Sequence, residues 1–247
     1  MKTKIQFLSA MLILLLLTQA MSCEKDDKNE NPDQQQNSTP TPTPSDANGV
    51  LVNLKLFNTQ STPVGNIEIE FGGAAAYFLD ANGKFQDAGE VTVDGTHKLK
   101  KQTGAMENYY FYEQTASNPT GIEYGSQIQW SVSGSSAVQA FNHTISGSMP
   151  TVGQITTTGT LSKSGCTINV ASVTGADSVM FQIGGKVKTR PGNATSCEFS
   201  ADDMKDVGTG LQLVQVLPYK IQGATINGKK YYFVREVSRT KMLEVSN

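Results

Sequence analysis

Histidines, cysteines and clustered acidic residues are where this sequence would show chemistry. Histidine is the usual proton carrier near neutral pH, and the chain has two, His97 and His143. They lie far apart, each in a polar, strand-like setting, and read as exposed strand residues. Neither His-Glu-x-x-His nor Cys-x-x-Cys occurs, so the strong zinc signatures are missing, and no metal or cofactor is expected. Three near-matches fail on context. Gly223 to Lys229 has the Gly-x-x-x-x-Gly-Lys spacing of a phosphate loop. Lys230, however, stands where Ser or Thr would hold magnesium, and a hairpin replaces the required strand-to-helix turn. Ser238 and Lys241 have the Ser-x-x-Lys spacing that brings two side chains together on a helix, but they sit in an expected strand. Asp80-Ala81-Asn82-Gly83 begins like a calcium loop, yet Val91 falls at the twelfth position, where a carboxylate is needed. A plain hairpin turn is the better reading. The expectation is a protein that is not an enzyme.

Two further sets of residues bear on binding and bracing. Cys166 and Cys197 could form a disulfide, worth roughly 2–4 kcal/mol to a small extracellular domain, or could simply be small buried hydrophobes. Tyr109-Tyr110-Phe111-Tyr112 alternates faces in a strand, so one pair points away from the core. Tyr110 and Tyr112 are taken as that pair and as a candidate sugar-stacking surface. Trp130 shares its face with Ile128 and Val132, which marks it as core.

These residues need elements to position them, and alternation supplies them. Asn66 to Phe71 alternates cleanly, with Ile67, Ile69 and Phe71 on one side. Tyr77 to Leu79, Glu90 to Val93, Asn108 to Glu113 and Ile128 to Ser133 follow, with turn chemistry at Asn82-Gly83 and Asp94-Gly95. Ser146 to Gly153 carries Pro and Gly and breaks the pattern, which suggests a boundary. Beyond it come Thr167 to Val170, Ser178 to Ile183, and a hairpin of Leu211 to Val216 against Lys230 to Val234, turning at Asn227-Gly228. Ser200 to Val207 reads as a short helical turn. The expected fold is all-β, with two immunoglobulin-like sandwiches at 50–153 and 154–247; one larger continuous sandwich is the alternative.

The first 49 residues read differently. Lys2 and Lys4 precede an apolar run, Phe7 to Leu17, and small residues Ala20 and Ser22 precede Cys23. That order describes a signal peptide over 1–22, with an apolar core about half the length that crosses a bilayer. Cys23 is then either a free thiol after ordinary cleavage or, as favoured here, the lipid-bearing end of a lipobox. Residues 23–49, with Gln34-Gln35-Gln36 and three Thr-Pro repeats, have little to bury and read as a disordered stalk. Its ends would lie on the order of 30 Å apart.

The motif around Ser22-Cys23 resembles that of bacterial lipoproteins, and Cys23-Glu24-Lys25-Asp26-Asp27 is similar to the acidic export tag of Bacteroidetes surface lipoproteins. Ala20 departs from the usual Leu. Ile128 through Val152, with Trp130 to Gly134, and Ile226 to Phe233 also resemble a group of such lipoproteins with immunoglobulin-like domains. The resemblance implies fold and address: the outer membrane, lipid-anchored and facing outward. It names no function.

Charge narrows the partners. Of 20 basic and 22 acidic residues, Lys2 and Lys4 lie in the leader. The stalk holds Lys25 and Lys28 against Glu24, Asp26, Asp27, Glu30, Asp33 and Asp46. Sixteen of each sign remain in the body, and a neutral body gives no attraction to nucleic acid. The expected role is display of a binding or adhesion module on a membrane through lipid, its ligand a glycan or a protein. The alternatives are a carbohydrate-binding accessory of a glycan-uptake system and a pilus or matrix subunit.

Overall fold

Apolar–polar alternation is read out as strand after strand in the computed structural model, which describes residues 44–62, 65–103 and 107–247. The signal peptide, Cys23 and most of the stalk lie outside the described residues. The first half holds β1 (Gly49–Thr62), β2 (Gly65–Phe78), β3 (Val91–Val93), β4 (His97–Lys98), β5 (Lys100–Lys101), β6 (Tyr110–Phe111), β7 (Gln127–Val132), β8 (Phe141–Ser146) and β9 (Thr151–Val152). The second holds β10 (Leu161–Ser162), β11 (Gly165–Asn169), β12 (Val173–Thr174), β13 (Ser178–Ile183), β14 (Lys186–Pro191), β15 (Ser196–Ser200), helix α1 (Ala201–Met204), β16 (Gly210–Ile226) and β17 (Lys229–Ser246). Among the described residues the fold is all-β apart from α1. There Ser200 caps the first turn and Asp203 returns the bond to the Ser200 amide, a reciprocal capping box.

The largest sheet runs β14-β13-β16-β17-β1-β2-β6-β5, with β10, β11 and β15 joined beside β17. Strand β17 is its axis. It pairs antiparallel with β16 from Lys229 to Val245 through the Asn227-Gly228 turn, whose φ values of 51° and 73° are those of a tight hairpin. Its other edge takes β1 in parallel, Gly49 opposite Tyr231 through Phe57 opposite Arg239, and then β10, Leu161 opposite Val245. The sheet therefore does not divide at residue 153. Strands from 50–153 and from 154–247 are hydrogen-bonded neighbours, and Pro44–Asn247 forms one compact unit.

A four-stranded sheet, β4-β3-β7-β8, packs on one face of the large sheet, here called the first face. Ile128, Trp130 and Val132 of β7 point inward while Gln127 and Gln129 are exposed. Trp130, Phe78, Phe181, Phe199 and Phe233 are fully buried in the shared core, each contributing roughly 1.5–3 kcal/mol by leaving water.

The passage expected to be a boundary is strapped onto this core. Met149, Val152 and Ile155 are buried in it, and three cations on the first face of β17 hold its carbonyls. Arg235 Nη1 donates to the Ser146 and Ser148 carbonyls at 2.9 and 3.3 Å. Arg239 Nε donates to the Val152 carbonyl at 3.3 Å. Lys241 Nζ donates to the Ile155 and Thr157 carbonyls at 3.2 and 2.8 Å. The Arg239 guanidinium lies over the Phe57 ring, 4.6 Å from its centroid, and pairs with both Glu68 oxygens. Gln154 Nε2 donates to the same carboxylate at 2.6 Å.

One stretch of β2 breaks the alternation. Gly72 N donates to the Thr120 carbonyl at 2.8 Å and Ile122 N donates to the Gly72 carbonyl at 3.0 Å. A Cβ at Gly72 would stand 1.7 Å from the Ile122 oxygen, whereas Gly73 has open space. Gly72→Ala is expected to destabilise the protein by about 1–3 kcal/mol, the usual effect of overpacking, and Gly73→Ala by far less. Urea unfolding of the two variants measures the difference, and equal effects would contradict the close crossing.

Candidate binding face and the placement of the expected site residues

The tyrosine strand faces the opposite way from expectation. Tyr110 is only 1% exposed and points between the sheets, its ring edge-on to Phe78 at 6.0 Å. Its hydroxyl donates to Asp87 Oδ1 at 2.8 Å and accepts from the Ala88 amide at 2.8 Å. Tyr112, on the same face, is half-buried. Its ring meets His97 edge-on at 5.4 Å, and its hydroxyl accepts from Asn118 Nδ2 at 3.3 Å. The pair expected to face outward is thus committed to the interior. The reason is pairing: Tyr110 lies opposite Ala76 of β2, whose side chain is on the core side.

The partners by alternation, Tyr109 and Phe111, take the second face. There Tyr109 stacks on Tyr77, with centroids 6.0 Å apart and planes at 19°, and Phe85 tilts against both rings at 5.6 and 6.0 Å. Toward the middle of the face lie buried Val50, Val52 and Val234, with Tyr77, Tyr219, Ile221 and Tyr232 packed around them and half-buried. Tyr232 donates its hydroxyl to Asp46 at 2.7 Å. Ala47 also packs here, so residues 44–48 enter the fold at the edge of this face. Further along, a polar row interrupts the apolar surface, where Gln215 Nε2 donates to Ser238 Oγ at 2.6 Å. The face ends at Leu211 and Met242, which are 66% and 52% exposed. They are diagonal neighbours across the β16–β17 hairpin.

The histidines are half-buried, not exposed as expected. Register puts them in one row of the smaller sheet, His97 opposite Val93, Val93 opposite Trp130, Trp130 opposite His143. Three strand spacings, roughly 14 Å, separate them, too far to share a proton. His143 stacks on Phe233 at 4.4 Å, and burial lowers its pKa.

Cys166 and Cys197 are free thiols. Cys166 lies opposite Phe199, and Cys197 opposite Ile168. The cysteines are therefore diagonal neighbours, roughly 7–8 Å apart, where a disulfide needs its Cβ atoms about 3.8 Å apart. Cys166 Sγ instead contacts Met204 Sδ at 3.9 Å.

Ser238 and Lys241 stand on opposite faces of β17, three residues apart in a strand. Asp80 Oδ1 accepts from the Asn82 and Lys84 amides at 2.8 and 2.9 Å, so its carboxylate closes a turn. Among the described residues, no three His, Cys, Asp or Glu side chains gather where they could hold a metal, and no helix is long and apolar enough to cross a membrane. Comparison of the chain with protein-family models, curated proteins and solved structures finds no match.

Asp87, which anchors Tyr110, has its pKa held down to about 2 from 3.8. The Gly89 amide is the main cause, followed by Lys101 and the Tyr110 hydroxyl. The folded value is below the unfolded one, so the stabilisation is complete above pH 3.8 and is lost as pH falls toward 2. The stability difference between wild type and Asp87→Asn should therefore be constant near neutrality and shrink between pH 4 and 2. Chemical unfolding at a series of pH values measures it; a pH-independent difference would contradict the assignment.

Proposed function

We propose that the protein is a cell-surface lipoprotein, tethered through Cys23, whose β-sandwich body is a non-enzymatic binding module. The second face of the large sheet is the face that meets the ligand. The observation that carries this reading is the apolar surface of that face: Leu211 and Met242 stand exposed at one end, and half-buried Tyr77, Tyr219, Ile221 and Tyr232 cover buried Val50, Val52 and Val234. Apolar surface of this kind is characteristic of interaction sites. The charged and apolar leader, the small residues before Cys23 and the acidic residues after it support the tether. Several acyl chains, each methylene worth about 0.8 kcal/mol, make the anchor stable.

A second reading, carbohydrate capture, is favoured by half-buried Tyr77 and Phe85, whose rings meet at 5.6 Å beside buried Tyr109. Aromatic rings present flat apolar area at low entropy cost, which suits the faces of sugar rings. Tyr110 and Tyr112, expected from the sequence to offer that surface, turn toward the core instead.

Mass spectrometry of the N-terminal peptide from membrane-extracted protein should find acyl chains on Cys23, and Cys23→Ser should release the protein into the soluble fraction. An unmodified thiol on a freely soluble mature protein would end the display role. The soluble Cys23→Ser protein, applied to an array of host and dietary polysaccharides, separates the two ligand readings. Binding that falls about tenfold in Phe85→Ala, a loss of about 1.4 kcal/mol, supports sugar capture. Silence across the array leaves a protein ligand on the same face.

A further inference from the structure

The strand by which the chain enters the body is held on both edges and both faces. Residues 44–48 reach the large sheet at the start of β17. There Asn48 N donates to the Lys230 carbonyl at 2.7 Å, and Lys230 N donates to Asn48 Oδ1 at 2.9 Å. The Asp46 carboxylate accepts from Lys230 Nζ at 2.5 Å and from the Tyr232 hydroxyl at 2.7 Å. From Gly49 onward β1 has a neighbour on each edge, β17 in parallel as far as Phe57 opposite Arg239, and β2 antiparallel along its whole length. Side chains pin it as well. Leu51 and Asn53 are buried on the first face, where Trp130 Nε1 donates to Asn53 Oδ1 at 3.1 Å. Val50 and Val52 are buried on the second face.

Direction decides how this strand behaves under tension. Strands β1 and β17 run the same way, so the entry of β1 and the end of β17 lie at opposite ends of the sheet. Leu211 and Met242, the exposed apolar pair, sit toward that far end. At about 3.3 Å per residue, Met242 stands roughly 35 Å along β17 from Tyr231. A pull on Asn48 opposed by a hold at Met242 therefore slides β1 along β17. The evenly spaced bonds of a parallel ladder then take the force together, and the bonds to β2 take it with them. A pull across the open end of a hairpin differs, because it opens the bonds one after another.

We propose that β1 and β17 form a shear clamp, which carries tension between the membrane tether and a ligand held at the Leu211 and Met242 end. The clamp rests on tethering at Cys23 and on binding at the second face, and it gives them a mechanical function. The module stays folded while cell and ligand are drawn apart.

Single-molecule force spectroscopy on the mature Cys23→Ser protein tests the clamp, because forced unfolding is governed by the unfolding rate along the direction of pull. Handles at residue 23 and at Asn247 load β1 against β17. Handles at Thr209 and Asn247 load the β16–β17 hairpin at its open end, where Gly210 lies opposite Val245. The expected result is one rupture for the first pair of handles, at a force severalfold higher than for the second at equal loading rate. Equal forces, or gradual extension from residue 23 without a rupture peak, overturn the clamp. The tether fails separately, on an unmodified Cys23 thiol in the wild-type protein, a result on which the rupture force does not depend.

Discussion

Everything in the body is organised by cations on one face of β17 reaching the backbone carbonyls of residues 146–157. Three positively charged side chains in the middle of a long strand would ordinarily mark a solvated face. Here two of them are among the most buried polar residues, Arg235 and Arg239 at 2% and 5% exposure. Arginine suits this because its guanidinium offers five donors in a fixed fork and is less strongly hydrated than an ammonium. One such group can satisfy several carbonyls of a segment whose only partner strand among the described residues is short β12 and the residues just before it. The irregular segment then packs with its backbone paired, and Met149, Val152 and Ile155 become part of the core.

That strap explains why the body is continuous. The same segment pairs with the second half, through β9 against β12 and through Gly153 N donating to the Ser172 carbonyl at 2.8 Å. Strand β17 meanwhile receives β1 on one edge and β16 on the other. The first face is thereby filled by the small sheet and the strap. The second face keeps its tyrosines, and residues 44–48 enter beside it at Asp46 and Ala47.

What the sequence made legible were local features. The Asn227-Gly228 turn, the inward set Ile128, Trp130 and Val132, and the short helical turn after Ser200 all follow from neighbours a few residues apart, and all appear in the fold. Pairing between distant segments was not legible, because alternation says which residues share a face but not which strand lies alongside. The parallel match of β1 with β17 is of that kind. So is the orientation of Tyr110, decided by its position opposite Ala76. Gly72 to Ala76 lacks strand-forming residues between Phe71 and Tyr77, yet β2 runs straight through it on its ladder with β1, and at Gly72 the crossing at Ile122 leaves no room for a side chain. Pro and Gly in Ser146 to Gly153 suggest a boundary when only neighbouring residues are considered. They mark irregular backbone, and the partners of that backbone, Arg235, Arg239 and Lys241, lie more than eighty residues away.

Hydrogen–deuterium exchange with peptide-level mass spectrometry, comparing wild type with Arg239→Met, tests the organising role of these cations most directly. Methionine keeps much of the apolar stem and removes the donors. The account predicts faster exchange confined to residues 146–157, on the order of tenfold for the loss of a charged hydrogen bond of about 1.5 kcal/mol, with β16 and β17 keeping their protection. Unchanged protection in 146–157, or a loss spread evenly through β1, β16 and β17, would contradict it.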